Sequence, residues 1–370
     1  MKKSARANQP ARKSAVKPAK RRDAMEPITK YKPLLQTELD RFLSAKRAGH
    51  AAGERGDDFL KRLQIFAGGG KLLRGCLVCF GYHIWSGRRP TKQVIDAALA
   101  VELAHDSLLI HDDIMDGDEL RRGQPSMHRQ YETLAGRRRL TNPPGFGLGM
   151  ALSGGDIALL LAFELLGQAN SPTAQQLFTN QLLQTCGGQM QDIYLGAASA
   201  EPDRRAIYEI MEQKTAGYTI ALPLAIGAVM AGRPAPILQR IQTIGRLIGI
   251  IFQIRDDELG VLGSQRQTGK PVGADIRENK KTLLRYHLMR RCTADERRKL
   301  AGIFGNPAAT YADIRSAQAL LRKYEVSELV AEEIAGLRRE AQIHIERLAT
   351  SQASKQAFEA LLAFCSERQF

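Results

Sequence analysis

The run His105-Asp106-Ser107-Leu108-Leu109-Ile110-His111-Asp112-Asp113-Ile114-Met115-Asp116 sets several acids inside a strongly apolar stretch. On a helix, Asp112 and Asp116 lie about 40° apart in azimuth, so their carboxylates project from nearly one face and can share metal ions. His105, seven residues before Asp112, returns to almost the same azimuth roughly 10 Å down the axis. Burying such carboxylates unpaired is costly, which favours a hydrated cation cluster or basic partners. A second acidic run, Phe252-Gln253-Ile254-Arg255-Asp256-Asp257-Glu258-Leu259-Gly260, follows 144 residues after the first, again behind an apolar helical segment. Two such clusters facing each other across a bundle would present hard oxygen donors. These suit Mg²⁺, which keeps several waters and bridges carboxylates to substrate phosphates.

Basic residues accompany both clusters. Gly69-Gly70-Lys71-Leu72-Leu73-Arg74 opens a helix, Arg121-Arg122-Gly123 follows the first cluster, and Lys270, Lys280 and Lys281 follow the second. Acids and bases bracketing glycine turns beside apolar helices describe a polyphosphate site better than a surface salt-bridge network. A nucleotide P-loop is excluded: five residues rather than four separate Gly263 from Gly269-Lys270, and Pro271 stands where Ser or Thr is needed. Cys76, Cys79 and His83 share one helical face, but no fourth zinc ligand accompanies them, so an apolar core face is expected.

The elements that must position these residues are helices. From residue 33 onward apolar positions recur at three- and four-residue spacing, as in ALAVELAHDSLLIHDDIMD and IQTIGRLIGIIFQIRDDELGVLG, with no strand–helix alternation. The spacing predicts an all-α, single-domain bundle of about ten or more helices over residues 33–370. Breaks are expected at 68–70, 87–90, 136–149, 171–172 and 263–273. The charge-free stretch from Thr215 to Gly232 contains Pro223 and reads as buried helices, not a transmembrane segment. Of the net charge of +15, nine charges fall in residues 1–32, where eleven Lys and Arg face two acids and no apolar run exists. This is expected to be a disordered basic tail. The remainder carries no reader motif or aromatic-studded basic face, so no specific nucleic-acid partner is expected. Five cysteines in no paired framework, and no secretory apolar run near the start, point to the cytoplasm and to no disulfides.

Taken together, these motifs resemble the trans-polyprenyl diphosphate synthase family, the farnesyl and geranylgeranyl diphosphate synthases, over roughly residues 35–365. Asp112-Asp113-x-x-Asp116 with Arg121-Arg122-Gly123 is similar to the family's first aspartate-rich motif, and Asp256-Asp257 in FQIRDD to its second. GGKLLR, GQMQD with Gln189 and Asp192, Lys214-Thr215 and TGKPVGADIRENKKT follow in the family's order. The resemblance implies helices around a central cavity, and head-to-tail transfer from an allylic prenyl diphosphate to isopentenyl diphosphate. It also implies three Mg²⁺ per active site and a homodimer built on the apolar helices between the motifs. Asp112, Asp116 and Asp256 would hold the metal, with Asp113 and Asp257 in support. Arg121, Lys214, Lys270 and Lys280 would hold the allylic diphosphate, and Lys71, Arg74, His105 and Arg122 isopentenyl diphosphate. Gln189 would belong to the substrate site, and Gln253 and Thr215 would face the developing allylic cation.

Three positions depart from the family pattern: Gly260 replaces a third Asp, Leu72 an Arg, and Gly75 a Pro. The missing carboxylate leaves open a weakly active or regulatory subunit. A class I terpene cyclase is the other alternative, opposed by the two paired-Asp motifs together with Lys71, Arg74 and Arg122. The family's chain-length positions, four and five residues before the first motif, are Leu108 and Ser107. A small Ser107 implies passage beyond a farnesyl chain, and the expected product is geranylgeranyl diphosphate.

Overall fold

A computed structural model of the chain describes residues 25–263, 272–348 and 350–367. Residues 1–24 of the expected tail lie outside these. The remainder of that stretch is built into the fold: residues 25–29 form helix α1, and Met25, Ile28 and Tyr31 are buried. The boundary placed at residue 32 is therefore too late. Charge dominated the composition of the stretch and hid an apolar spacing of three.

The chain then forms α2 (Lys32–Ala48), α3 (Gly53–Gly68), α4 (Leu73–Ser86) and α5 (Lys92–Met115). A hairpin of two short strands, Leu120–Arg121 and Gln124–Pro125, is the one β pairing among the described residues. Its turn residues Arg122 and Gly123 both have positive φ, 53° and 75°, as a tight two-residue hairpin turn requires. Next come α6 (Met127–Arg137), α7 (Pro143–Gln168), α8 (Pro172–Ala197) and α9 (Arg204–Ile210). A π-helix over Met211–Ala221 leads into α10 (Leu222–Met230) and the long α11 (Ala235–Leu262). The carboxy-terminal part holds α12 (Ala274–Arg277), α13 (Leu283–Arg291), α14 (Ala294–Ala301), α15 (Tyr311–Lys323), α16 (Val326–Glu346) and α17 (Gln352–Ser366).

Helix α5 is the axis. Thr91 caps it by accepting from the Val94 N–H, and nearly every side chain from Val94 to Ser107 is buried. It packs mainly on α7 and α4, while α11 lies against the π-helix, α16 and α17. A helix apolar all round belongs at the centre of a bundle, which places both acidic runs at the ends of core helices. The loop expected over 136–149 is shorter than that, because α7 already begins at Pro143. Asn142 accepts from the Gly145 N–H at 3.2 Å, and prolines are tolerated in a first helical turn, where no N–H partner is missed.

Helix α7 is long and apolar enough to cross a membrane, with a mean hydropathy of 1.7 over its most apolar window, 39% of which is buried. Helices α3 and α4 qualify only as a pair, bent by 66°. The stretch from Thr215 to Gly232 is largely buried in the π-helix and α10, as its sequence suggests.

Candidate active site

A cavity of about 600 Å³ opens between the ends of α5 and α11 and is lined by both acidic runs. Asp112, Asp116, Asp256 and Asp257 face it, as do Lys71, Arg74, His105, Leu108, Arg121, Arg122, Gln189, Lys214, Thr215, Gln253 and Lys280. Two expected residues do not line it, and Lys270 lies outside the described residues. Asp113 is fully buried beneath Arg121, whose Nε donates to its Oδ1 at 2.6 Å, and Arg121 Nη2 also meets Asp118 at 3.0 Å. Asp113 therefore fixes Arg121 from below. Ser107 is buried, with its Oγ unbonded, because it points about 140° away from Asp112 around α5. Leu108, one turn before Asp112, is the chain-length candidate that reaches the cavity.

The acids are balanced internally. Lys214 Nζ lies 2.5 Å from Asp192 and 3.8 Å from Asp112. Lys280 Nζ lies 3.1 Å from Asp257 and 3.6 Å from Asp275. Burial opposes the charge on Lys280, but Asp257, Asp275, Asp192 and Asp256 outweigh it and hold the amine well above the usual lysine range. Gln253 donates its amide to Asp257 at 2.7 Å, which leaves its oxygen as the end it can offer to a positive carbon. Farther along, Glu201 accepts from Arg285 and Lys281, and Asn279 donates to the Gly196 carbonyl, tying the segment that carries Lys280 to the end of α8.

A second basic group lies across the cavity. Arg74 stacks on Tyr218 with its guanidinium 4.5 Å from the ring centroid and donates to Thr219 at 2.8 Å. Arg122 donates to the Phe66 carbonyl at 2.7 Å and faces Asp106 at 3.9 Å. Behind them Glu102 accepts from the Gly75 N–H at 2.6 Å, a donor that a proline at 75 would lack. Sequence reasoning missed Glu102, Asp106 and Tyr218. For the first two the available signal was the spacing from His105 along one buried helix. Tyr218 had none, because the π-helix sets its direction.

His105 meets the Tyr218 hydroxyl through Nδ1 at 3.3 Å. Burial first, then the guanidinium groups of Arg74, Arg122 and Arg121, hold it well below the usual histidine range. The unfolded chain binds this proton below about pH 6.5 while the folded chain refuses it, so folding stability falls as pH drops through that value. His105→Gln removes this contribution. The loss of melting temperature between about pH 7.5 and about pH 5.5 is expected to be smaller in the variant than in the wild type, and an equal loss would show that His105 takes no part.

Among the described residues, no three His, Cys, Asp or Glu side chains close on one point as a self-sufficient metal cage. The donors are hard carboxylates around an open cavity, which fits an ion such as Mg²⁺ held jointly with phosphate oxygens. Residues 61–321 match the family model for polyprenyl synthetases. The chain belongs to the polyprenyl synthetase family. It is thus an all-α trans-prenyltransferase, an enzyme of prenyl chain elongation. The synthetase is 32% identical over 262 residues to a short chain isoprenyl diphosphate synthase of Methanocaldococcus jannaschii, covering 70% of this chain and 74% of the relative. It is equally similar to a geranylgeranyl diphosphate synthase of Sulfolobus acidocaldarius, 32% over 269 residues, covering 71% and 76%. The fold is similar to that of geranylgeranyl pyrophosphate synthase from Corynebacterium glutamicum, solved with isoprenyl diphosphate and magnesium. That match has a TM-score of 0.87 at 29% identity over 92% of this chain and 99% of the other.

Proposed function

We propose that this synthetase joins isopentenyl diphosphate to an allylic diphosphate with three Mg²⁺ per site, as a cytoplasmic homodimer, and that its product is geranylgeranyl diphosphate. The carrying observation is that two acidic runs and two separate basic groups share one cavity. Asp112, Asp116 and Asp256 would hold the ions, backed by Asp113 and Asp257. When bound, Mg²⁺ supplies Lewis-acid stabilisation of the charge that grows on the departing diphosphate.

The protein's own groups do the rest. Lys214, Lys280, Lys270 and Arg121 hold the allylic diphosphate, and charges already in place favour the transition state over the ground state. Lys71, Arg74, His105 and Arg122 hold isopentenyl diphosphate on the other side, with Gln189 near the opening. As the allylic C–O bond breaks, Gln253 and Thr215 face the carbocation, and walls such as Leu108 and Phe252 keep water from it. The isopentenyl double bond attacks, forming the new C–C bond, and the released diphosphate takes the proton lost by the product.

The dimer reading is supported by apolar side chains at helical spacing. On α7 these are Leu148, Leu152 and Leu160, the last 68% exposed. On α8 they are Leu183 and Met190, 67% and 72% exposed. A second copy would cover both stripes, and sedimentation measures the state. The product reading is supported by Leu108 in the cavity and by the relatives above. Incubation with Mg²⁺, isopentenyl diphosphate and a shorter allylic diphosphate, followed by mass spectrometry, is expected to show geranylgeranyl diphosphate. Leu108→Phe is expected to shorten the product and Leu108→Ala to lengthen it. An unchanged product spectrum would place the floor elsewhere, and cyclised hydrocarbons would overturn the elongation reading.

A further inference from the structure

We infer that Asp106 is a positioning residue on the isopentenyl side of the cavity: it stands behind Arg122 as an internal rival for that guanidinium, and takes a proton from solvent when a substrate diphosphate arrives in front. The inference rests on the reading of Arg74 and Arg122 as holders of isopentenyl diphosphate. Asp106 is 2% exposed and does not line the cavity, whereas Arg122 does. Its Oδ1 lies 3.9 Å from Arg122 Nη2, beyond hydrogen-bond reach, and its Oδ2 is buried with no hydrogen-bond partner. Arg122 donates from Nη1 to the Phe66 carbonyl of α3 instead. The acid is therefore held by charge alone. A carboxylate with an orphaned oxygen in a closed site is costly to keep ionised.

Its surroundings decide how it responds. Glu102, one turn earlier on α5, points about 40° away in azimuth and is anchored, accepting from the Gly75 N–H at 2.6 Å. Asp106 has no such donor. Burial pushes its carboxyl up to about 7; Arg122 of the hairpin opposes that rise, Glu102 adds to it, and Arg74 of α4 opposes it. His105 beside it is held well below the usual histidine range by burial and by the same arginines, so it brings no compensating charge. Helix α7 turns its two acids to His111 and Lys46, and α10 carries no charge. A diphosphate in front of Arg74 and Arg122 offsets the positive charge that keeps Asp106 ionised, so the carboxyl rises further when the site fills. The sign follows: binding is tightest while Asp106 holds its proton, and weakens as pH rises past the value in the empty site.

Isopentenyl diphosphate is titrated calorimetrically into the full chain in Mg²⁺ at about pH 6 and about pH 8.5, in buffers of different ionisation heat, with Asp106→Asn and the smaller Asp106→Ser alongside. The ionisation of the substrate is common to all three proteins, so it cancels in the comparison. At the lower pH the three are expected to bind alike. At the higher pH both variants are expected to bind about tenfold more tightly than wild type, the fold-change of a one-unit shift, and to take up fewer protons on binding. The KM for isopentenyl diphosphate is expected to follow the same pattern, whereas that for the allylic diphosphate is not. Variants that bind more weakly than wild type at both pH values would make Asp106 a simple anchor of Arg122, and equal proton uptake in all three would place the proton elsewhere. Either result would overturn the inference alone. A wild-type protein that does not bind isopentenyl diphosphate would overturn the substrate reading and this inference with it.

Discussion

Asp112→Ala is expected to reduce kcat/KM by roughly 10³-fold, about 4 kcal/mol of transition-state stabilisation, while the protein melts close to the wild-type temperature. The separation of the two effects follows from where the side chain sits. Asp112 is partly exposed at the cavity edge, 3.8 Å from Lys214, and that lysine retains Asp192 at 2.5 Å when Asp112 is gone. No buried partner is orphaned. What disappears is a carboxylate in the proposed metal site, facing the place where diphosphate charge develops. Steady-state turnover at saturating Mg²⁺, alongside thermal denaturation, provides both readings. A loss of turnover below about tenfold would move the metal role away from Asp112.

A large loss of folding stability is expected at the neighbouring Asp113 when its partner Arg121 is removed. Arg121→Leu removes the partner of a fully buried carboxylate, and breaking such a pair costs about 3 kcal/mol or more of folding stability. Burial already pushes the Asp113 carboxyl up to about 6, despite Arg121 pulling it down. With the folded value above the unfolded one, the group weakens the fold at high pH, and this penalty fades as pH falls through the folded value. Without Arg121 the folded value rises further. The stability gap between variant and wild type should therefore narrow from about pH 8 to about pH 5. Adding Asp113→Asn should close much of it, since an amide carries no charge to strand. Urea denaturation across that range checks the result, and a gap independent of pH and of Asp113 would show that the pair is not what holds the turn.

These two neighbours mark how far the sequence could be read. That Asp112 and Asp116 share a face, with His105 below them, follows from helical periodicity alone, and the structure places all three on the cavity. Which member of Asp112-Asp113 turns inward depends on the hairpin that delivers Arg121, and no local pattern announces that. Ser107 sits at the family offset from the first motif, and its direction around α5, about 140° from Asp112, leaves it buried and off the cavity lining. Helix α7 was missed at its start because two prolines and four glycines read as a loop, although Asn142 before Pro143 is a capping signal. Residues 25–31 were lost to a composition average, with three apolar anchors hidden among charges. Gly260 removes a carboxylate that the sequence leaves Asp256, Asp257 and the later Asp275 to cover, and the nearness of Asp275 to position 260 is visible only in the fold.

The π-helix over Met211–Ala221 has a consequence for how this chain can vary. A segment bonded i→i+5 reads like an α-helix carrying an extra residue, so the faces before and after it are out of phase with a continuous helix. Lys214 and Thr215 stand on one side of that phase shift, and Tyr218, which stacks on Arg74, stands farther along it. The wider turn sets the angle between Lys214 and Tyr218, both of which lie inside it, so a change in its length would alter which side chains of this segment face the cavity. The length of this segment is therefore constrained together with the identities of Lys214, Thr215 and Tyr218.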